Sequence, residues 1–262
     1  MFRVFEFAFA VILGFAAGFT SGAFGVGGGI ITTPAIRMLL QRSADIALGT
    51  PLPITFPSAL VGGFNYWRAG KVDRRVVAIC AFFGFAGTGI GSSITALMDT
   101  RYIMMITALV IIYLSWRTAS AALGKDSYGG AAIPRKRRRA PVWKLGLIGF
   151  TAGFSSGFLG LGGGFILVPA FFFLLRLELK ECLGNSLVII AALSIPGSII
   201  HSALGHVDWA VALAMTLGVM PGAFTGSFFT LRARDRRVLL LFSLLLLAIG
   251  IIFLAREIVG MA

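Results

Sequence analysis

Long stretches without any Asp, Glu, Lys or Arg are the feature that most restricts how this chain can fold. Eight of them divide the 262 residues, at 7–36, 46–67, 76–98, 102–116, 145–175, 182–207, 209–231 and 238–255. A helix needs about 20 apolar residues to cross a bilayer. Only 13% of the residues are charged, against about 25% in a typical soluble domain. The chain is therefore predicted to be an all-α integral membrane protein, which excludes a soluble globule and a disordered chain.

Two of these stretches, 7–36 and 145–175, are too long for one crossing. Thirty helical residues would reach about 45 Å, whereas the hydrocarbon core is about 30 Å thick. Each stretch has a glycine cluster at its middle, Gly25–Gly29 and Gly160–Gly164, and glycine at that density breaks a helix. Each is predicted to form two shorter helices, which gives about 8–10 transmembrane segments with ten as the expected number. Full crossing and re-entry both remain open for the first two segments of each half.

The two halves repeat each other. Residues 18–36 and 153–171 share 11 of 19 positions at an offset of 135. The match continues without a gap through a Gly-Thr/Asn pair and a Gly-x-Val-Asp turn. We therefore divide the chain into a first transmembrane repeat at 1–123, a basic linker at 124–143 and a second transmembrane repeat at 144–262.

Charge predicts the orientation of the repeats. Lys and Arg collect in cytoplasmic loops of membrane proteins, so the linker with its run Arg135–Arg139 is placed in the cytoplasm. This rule also accounts for the net charge of +13 without nucleic-acid binding. Counting five segments per half puts the turn at Gly70 inside and its equivalent at Gly205 outside. The repeats are therefore predicted to be inverted, with both chain ends outside.

Inverted repeats with broken helices are typical of secondary transporters. Each break starts a new helix whose free N–H groups and partial positive charge attract an anion. Two equivalent polar positions, Thr50 and Asn185, add side chains that can face a central cavity. The predicted substrate-binding residues are Ser21, Gly27, Gly28, Gly29, Thr50, Ser156, Gly162, Gly163, Gly164 and Asn185. A leucine at Gly163 is expected to block transport in a protein that still folds.

Other motifs have simpler interpretations. The pairs Gly87/Gly91 and Gly222/Gly226 are expected to pack helices closely. His201 is expected to be a satisfied interfacial histidine rather than a proton relay. The sequence Gly153–Gly157 reads G-x-S-x-G but lies in a predicted span, so a hydrolase is not expected. No carboxylate falls within a clear span, and neither a metal nor a cofactor is predicted.

The duplicated GFxSGxxGxGGGxxxxP segments, the Gly-Thr/Asn pair and the G-x-V-D turn resemble the TauE/SafE sulfite exporter family. The resemblance covers both halves and leaves out only the linker. It implies transport of a small sulfur-containing or carboxylated anion, such as sulfite, thiosulfate, a sulfonate or sulfoacetate. It also implies a bacterial inner membrane as the location.

The expected partners are a small anionic substrate and membrane lipid, with the oligomeric state left open and a homodimer as one option. Two other functions also remain open. An anion channel would give flux that does not saturate and no counterflow. A membrane scaffold without transport would tolerate changes in the glycine clusters and lose function when its loops are changed.

Overall fold

The computed structural model describes residues 4–95, 100–123 and 140–259. The predicted linker at 124–143, with its run Arg135–Arg139, therefore lies almost entirely outside the described residues. Every regular element in the described ranges is helical. The α-helices are α1 (Val4–Phe24), α2 (Gly29–Pro34), α3 (Ala44–Gly49), α4 (Pro51–Arg68), α5 (Arg74–Thr95), α6 (Thr100–Leu123), α7 (Val142–Leu159), α8 (Gly164–Leu174), α9 (Leu179–Ala203), α10 (Trp209–Arg232) and α11 (Asp235–Val259).

The helix boundaries follow the sequence repeat. A π-helical turn, Ala35–Leu39, extends α2 so that the pair covers 29–39. Adding the offset of 135 gives 164–174, the range of α8. In the same way α3 and α4 together cover 44–68, which corresponds to α9 at 179–203. The described helices thus fall into ten helical segments; the second contains the π-helical turn and the third is divided between α3 and α4. Pro51 follows that division and has no N–H to continue the helical bonds.

The surface of the helices is apolar. Six of the described helical stretches are long and apolar enough to cross a membrane. Phe82 is 75% exposed, and Ile12 and Leu213 are each 65% exposed. Soluble monomers rarely expose large continuous apolar surface, whereas lipid favours it. The chain is thus an all-α, multi-pass integral membrane protein.

Two long helix pairs are held together by glycines at every fourth position, α1 with α10 and α5 with α7. A methyl group on any of these glycines would overlap the backbone of the facing helix. Small residues at this spacing let helix backbones approach closely in membranes. In α1 and α7 the glycines are Gly14, Gly18, Gly22, Gly149, Gly153 and Gly157. The predicted packing role of Gly87, Gly91, Gly222 and Gly226 is confirmed, because they meet the backbones of Phe150, Phe154, Phe15 and Phe19.

The helices at the centre, α4 and α9, are equivalent in the repeat and run antiparallel. Gly62 near the end of α4 lies against Leu187 near the start of α9. Gly184, near the start of α9, lies against Tyr66, two residues before the end of α4. Hydrogen bonds between the repeats extend this contact, because Asn65 donates from Nδ2 to Ser227 Oγ at 2.8 Å. The two repeats are therefore intertwined rather than side by side.

Candidate functional site

The two predicted helix breaks are present and have the same backbone conformation. Helix α1 ends at Phe24 and α2 begins at Gly29. Between them Gly25, Gly27 and Gly28 have φ values of 68°, 80° and 82°. The equivalent glycines of the second repeat, Gly160, Gly162 and Gly163, have φ values of 65°, 82° and 73°. Only glycine adopts this left-handed region without strain, so the glycine cluster directly causes each chain reversal.

The two breaks touch each other although they are far apart in sequence. A methyl group at Gly29 would overlap the backbone of Leu161, and one at Gly164 would overlap the backbone of Val26. Thr33 Oγ1 adds a long hydrogen bond of 3.4 Å to the carbonyl oxygen of Gly160. Each break is thus packed against the break of the other repeat, at the contact between the repeats.

Each break ends at a helix start with free backbone donors. The first helical bond of α8 runs from the N–H of Ile166 to the carbonyl oxygen of Gly163 at 3.1 Å. The N–H groups of Gly164 and Phe165 come before that bond and have no partner within the helix. Gly163 caps α8 without a side chain. Partial positive charge accumulates at such a helix start, which favours a negative ligand.

Two predicted serines lie beside these helix starts. Ser21 and Ser156 are equivalent in the repeat, and both are fully buried. The Cβ of Ser21 lies 3.5 Å from a Cβ placed on Gly28. The Cβ of Ser156 lies 3.2 Å from a Cβ placed on Gly163. Neither hydroxyl has a hydrogen-bond partner in the protein. A buried hydroxyl without a partner is rare and requires an explanation. A bound ligand would be one explanation for both serines.

The space around Gly163 changes one expectation from the sequence. A Cβ there would lie 2.6 Å from the carbonyl oxygen of Ala152, and the residue has a φ of 73°. Gly163→Leu is therefore expected to strain the fold as well as the site, so loss of transport in this variant would not by itself identify the site. The equivalent position, Gly28, is less crowded, since its nearest neighbour is the carbonyl oxygen of Ala17 at 3.4 Å.

Thr50 and Asn185 make contacts away from the breaks. Asn185 Oδ1 accepts a hydrogen bond from the N–H of Asp73 at 2.7 Å. Thr50 Oγ1 accepts one from the N–H of Asp208 at 3.0 Å. Each residue therefore holds the Gly-x-Val-Asp turn of the other repeat, at opposite ends of the molecule.

The turn held by Asn185 borders a cavity of about 260 Å³. Asn185, Lys71 and Arg74 are among the residues that line this cavity. Lys71 Nζ forms an ion pair with Glu178 at 2.8 Å, and this hydrogen bond raises the pKa of Lys71 above its ordinary value. The cavity is thus lined by cationic, amide and acidic side chains, because Asp73 and Glu181 also border it. It lies at one of the two ends of the molecule where a turn of one repeat is held by the other.

His201 has a structural contact that its repeat equivalent shares. Its Nε2 lies 3.2 Å from the carbonyl oxygen of Gly157. The equivalent residue, Tyr66, donates from its hydroxyl to the carbonyl oxygen of Gly22 at 3.1 Å. Gly22 and Gly157 are also equivalent. Both repeats therefore use this position to hold the last turns of α1 or α7. The expected satisfied histidine has a partner on Nε2, but the ring is fully buried and its Nδ1 has no partner in the protein.

The sequence analysis missed Thr55 and Ser58 on α4. The methyl carbon of Thr55 lies 3.0 Å from a Cβ placed on Gly27 and 3.3 Å from one placed on Gly162. The Thr55 and Ser58 hydroxyls are buried and have no partner in the protein. One signal could have found Thr55: the repeat pairs it with Ile190, so a hydroxyl stands where the other half has a hydrocarbon.

Ser186 tests whether contacts at the break hold the repeats together. Its Oγ donates to the carbonyl oxygen of Gly25 at 2.7 Å. We expect Ser186→Ala to lower the free energy of unfolding by about 1 kcal/mol, the usual net value of one hydrogen bond. Thermal unfolding in detergent measures this. Ser194→Ala is the control, because Ser194 bonds only within its own helix; equal melting temperatures for the two variants would contradict the expectation.

Comparison with known proteins agrees with these observations. The family profile described as "Sulfite exporter TauE/SafE" matches residues 10–253. A "Probable membrane transporter protein" of Xylella fastidiosa is 26% identical over 92% of each chain. "Probable membrane transporter protein YunE" of Bacillus subtilis is 25% identical over 94% of this chain and 96% of its own length. No solved structure matches the chain at a significant level. The chain therefore belongs to the TauE/SafE sulfite exporter family of membrane transporters.

Proposed function

We propose that this protein is a secondary transporter that moves a small sulfur-containing anion across a bacterial inner membrane by alternating access. The candidate substrates are sulfite, thiosulfate, a sulfonate or sulfoacetate. One observation carries the proposal: two glycine breaks meet at the contact between the repeats, each beside a buried hydroxyl without a partner. The proposed binding residues are Ser21, Gly27, Gly28, Gly29, Ser156, Gly162, Gly163 and Gly164. Thr50 and Asn185 are proposed to bind the anion nearer the two ends of the molecule, where it enters and leaves.

The chemistry of these residues suits an anion that must be released again. The stretches 7–36 and 145–175, which carry both breaks, contain no charged side chain. The donors are backbone N–H groups and hydroxyls, which attract an anion through partial charges only. A full ion pair in this low-dielectric setting would hold the anion more strongly. Transport requires binding that is strong enough for entry and weak enough for exit.

The relation between the repeats suits alternating access. We infer that the repeats are inverted, which the antiparallel packing of α4 and α9 supports. Helix α8 has 11 residues and reaches about 16 Å, near half of the hydrocarbon core. In this arrangement α1 and α7 enter from opposite faces, and their breaks meet inside the membrane. Rocking of one repeat against the other then exposes the same site to each side in turn.

The roles of Thr50 and Asn185 follow from their positions. Each accepts a hydrogen bond from the turn that closes the opposite repeat. When the protein opens toward one side of the membrane, the hydrogen bond between the turn and Thr50 or Asn185 on that side breaks. The freed side chain then becomes available to the passing anion. The end of the molecule at Asn185 faces the cytoplasm under the positive-inside rule, because Arg68, Lys71, Arg74 and Arg75 lie in or beside the turn that Asn185 holds.

Counterflow in proteoliposomes tests the proposal. Vesicles that contain the purified protein are loaded with one unlabelled anion, and labelled sulfite or labelled sulfoacetate is offered outside at low concentration. We expect transient, saturable accumulation of label with sulfur oxyanions inside and none with chloride. Uptake that never exceeds equilibrium and does not saturate would indicate a channel instead. No uptake by folded protein with any of these anions would contradict the proposed function.

A further inference from the structure

The contact between the two breaks is flanked by one equivalent pair of side chains that differ in chemistry. Thr55 on α4 and Ile190 on α9 are separated by the repeat offset of 135. Cγ2 of Thr55 and Cγ2 of Ile190 lie 3.0 Å and 2.7 Å from a Cβ placed on Gly27. For Gly162 the corresponding distances are 3.3 Å and 3.6 Å. Both side chains therefore border both breaks, one from each repeat.

At this equivalent pair, and at the pair one helical turn further on, only the α4 member carries a hydroxyl. Thr55 is 1% exposed and Ser58, one helical turn further on, is fully buried. Neither hydroxyl has a partner in the protein. The equivalent positions on α9 are Ile190 and Leu193. Three of the four serine hydroxyls of α9 donate to a backbone carbonyl; they belong to Ser186, Ser194 and Ser198. The fourth, Ser202, lies one residue before the end of the helix.

We propose that Thr55 and Ile190 determine which anion this site accepts. The Thr55 hydroxyl donates to one oxygen of the anionic group, and Ile190 packs against a carbon-containing substituent. The favoured ligand is thus an organic anion with a small apolar group, rather than an inorganic oxyanion. This assignment rests on the proposed function, because it presumes that the anion binds at the breaks.

The reason is the cost of burying a charged oxygen without a donor. Sulfite and thiosulfate present charged or strongly polar atoms in every direction, so part of the anion faces Ile190 without a hydrogen bond. Burial of an unpaired polar group is unfavourable, whereas a methylene group placed there gains from leaving water. The pseudo-symmetric site therefore has a polar side and an apolar side, which also sets the orientation of the ligand.

A homologous series of anions tests the assignment. Methanesulfonate, ethanesulfonate, propanesulfonate and sulfite are compared as inhibitors of counterflow in the same proteoliposomes. For the unmodified protein we expect the half-inhibitory concentration to fall about fourfold per methylene, as expected for complete burial of each group. Sulfite is expected to be the weakest inhibitor. A protein that prefers sulfite, or does not distinguish members of the series, would overturn the assignment.

Variants separate the two side chains. Ile190→Thr is expected to lower the propanesulfonate-to-sulfite preference by about tenfold, and the milder Ile190→Val by about fourfold, one methylene equivalent. Thr55→Val keeps the shape and removes the hydroxyl. The half-inhibitory concentration of every anion should therefore rise by about tenfold, while the propanesulfonate-to-sulfite preference stays unchanged. Ile199→Thr is the matched control, since Ile199 is 64% exposed on the same helix.

The possible failures are distinct. Counterflow in the unmodified protein with an unchanged preference in Ile190→Val and Ile190→Thr contradicts the specificity assignment alone. Absence of counterflow with every anion contradicts the proposed function and the assignment with it. Thermal unfolding of each purified variant shows that the compared proteins are folded.

Discussion

Replacing Ser156 by alanine is expected to raise the half-saturation concentration for the transported anion by about tenfold or more without lowering thermal stability. A hydrogen bond to a charged group contributes about 1.5–3 kcal/mol, and each 1.4 kcal/mol corresponds to a factor of ten in affinity. The Ser156 hydroxyl has no partner in the protein, so its removal breaks no internal bond. Removing an unpaired buried hydroxyl instead relieves the cost of its desolvation. Ser21→Ala is expected to behave in the same way.

The measurement combines concentration-dependent counterflow with thermal unfolding of the same preparations. Ser186→Ala is the matched control, because it also loses a buried hydroxyl near the break but breaks the bond to Gly25. We therefore expect the two kinds of variant to differ in opposite ways: higher half-saturation at constant stability for Ser156, lower stability for Ser186. A Ser156→Ala protein with normal half-saturation and a reduced melting temperature would assign this serine to the fold rather than to the site.

Much of the fold follows from the sequence because it depends on local effects. Gly25–Gly28 cannot continue a helix, and the glycines at 160–163 repeat the same pattern, so both breaks could be placed within a residue or two. Adding the offset of 135 to the helix boundaries of the first half then gives those of the second half. These features arise from backbone conformation and apolar length, which one sequence displays directly.

Contacts between the repeats could not be predicted in this way. The alignment pairs Thr50 with Asn185, but it does not show that each holds the turn of the other repeat. Those bonds depend on how two intertwined halves pass each other, which is a long-range property. The sequence did not reveal the position of Thr55 for the same reason, because its contacts are also long-range. Its importance comes from touching Gly27 and Gly162 together, and these two glycines lie in different halves of the sequence.

Leucine at Gly91 is expected to prevent formation of a stable folded protein, whereas leucine at Gly89, two residues away on the same helix, is expected to be tolerated. A methyl group at Gly91 would overlap the carbonyl oxygen of Phe154 on α7. Backbone cannot move aside as a flexible side chain can, so α5 and α7 must separate along their length. At Gly89 no atom lies within 4 Å of the added carbon. Leucine is also a better helix former than glycine by about 0.8 kcal/mol, so this variant should melt at an equal or higher temperature.

The second repeat supports both expectations, because one of these positions keeps its glycine there and the other carries a large side chain. The position equivalent to Gly91 is Gly226, and a methyl group there would overlap the carbonyl oxygen of Phe19, itself equivalent to Phe154. The position equivalent to Gly89 is Phe224, a large side chain that is 51% exposed. One position thus keeps glycine in both halves because a backbone lies against it, and the other accepts a phenylalanine toward lipid. Size-exclusion profiles and thermal unfolding in detergent measure the difference. A monodisperse, stable Gly91→Leu protein would show that α5 and α7 do not require this close approach.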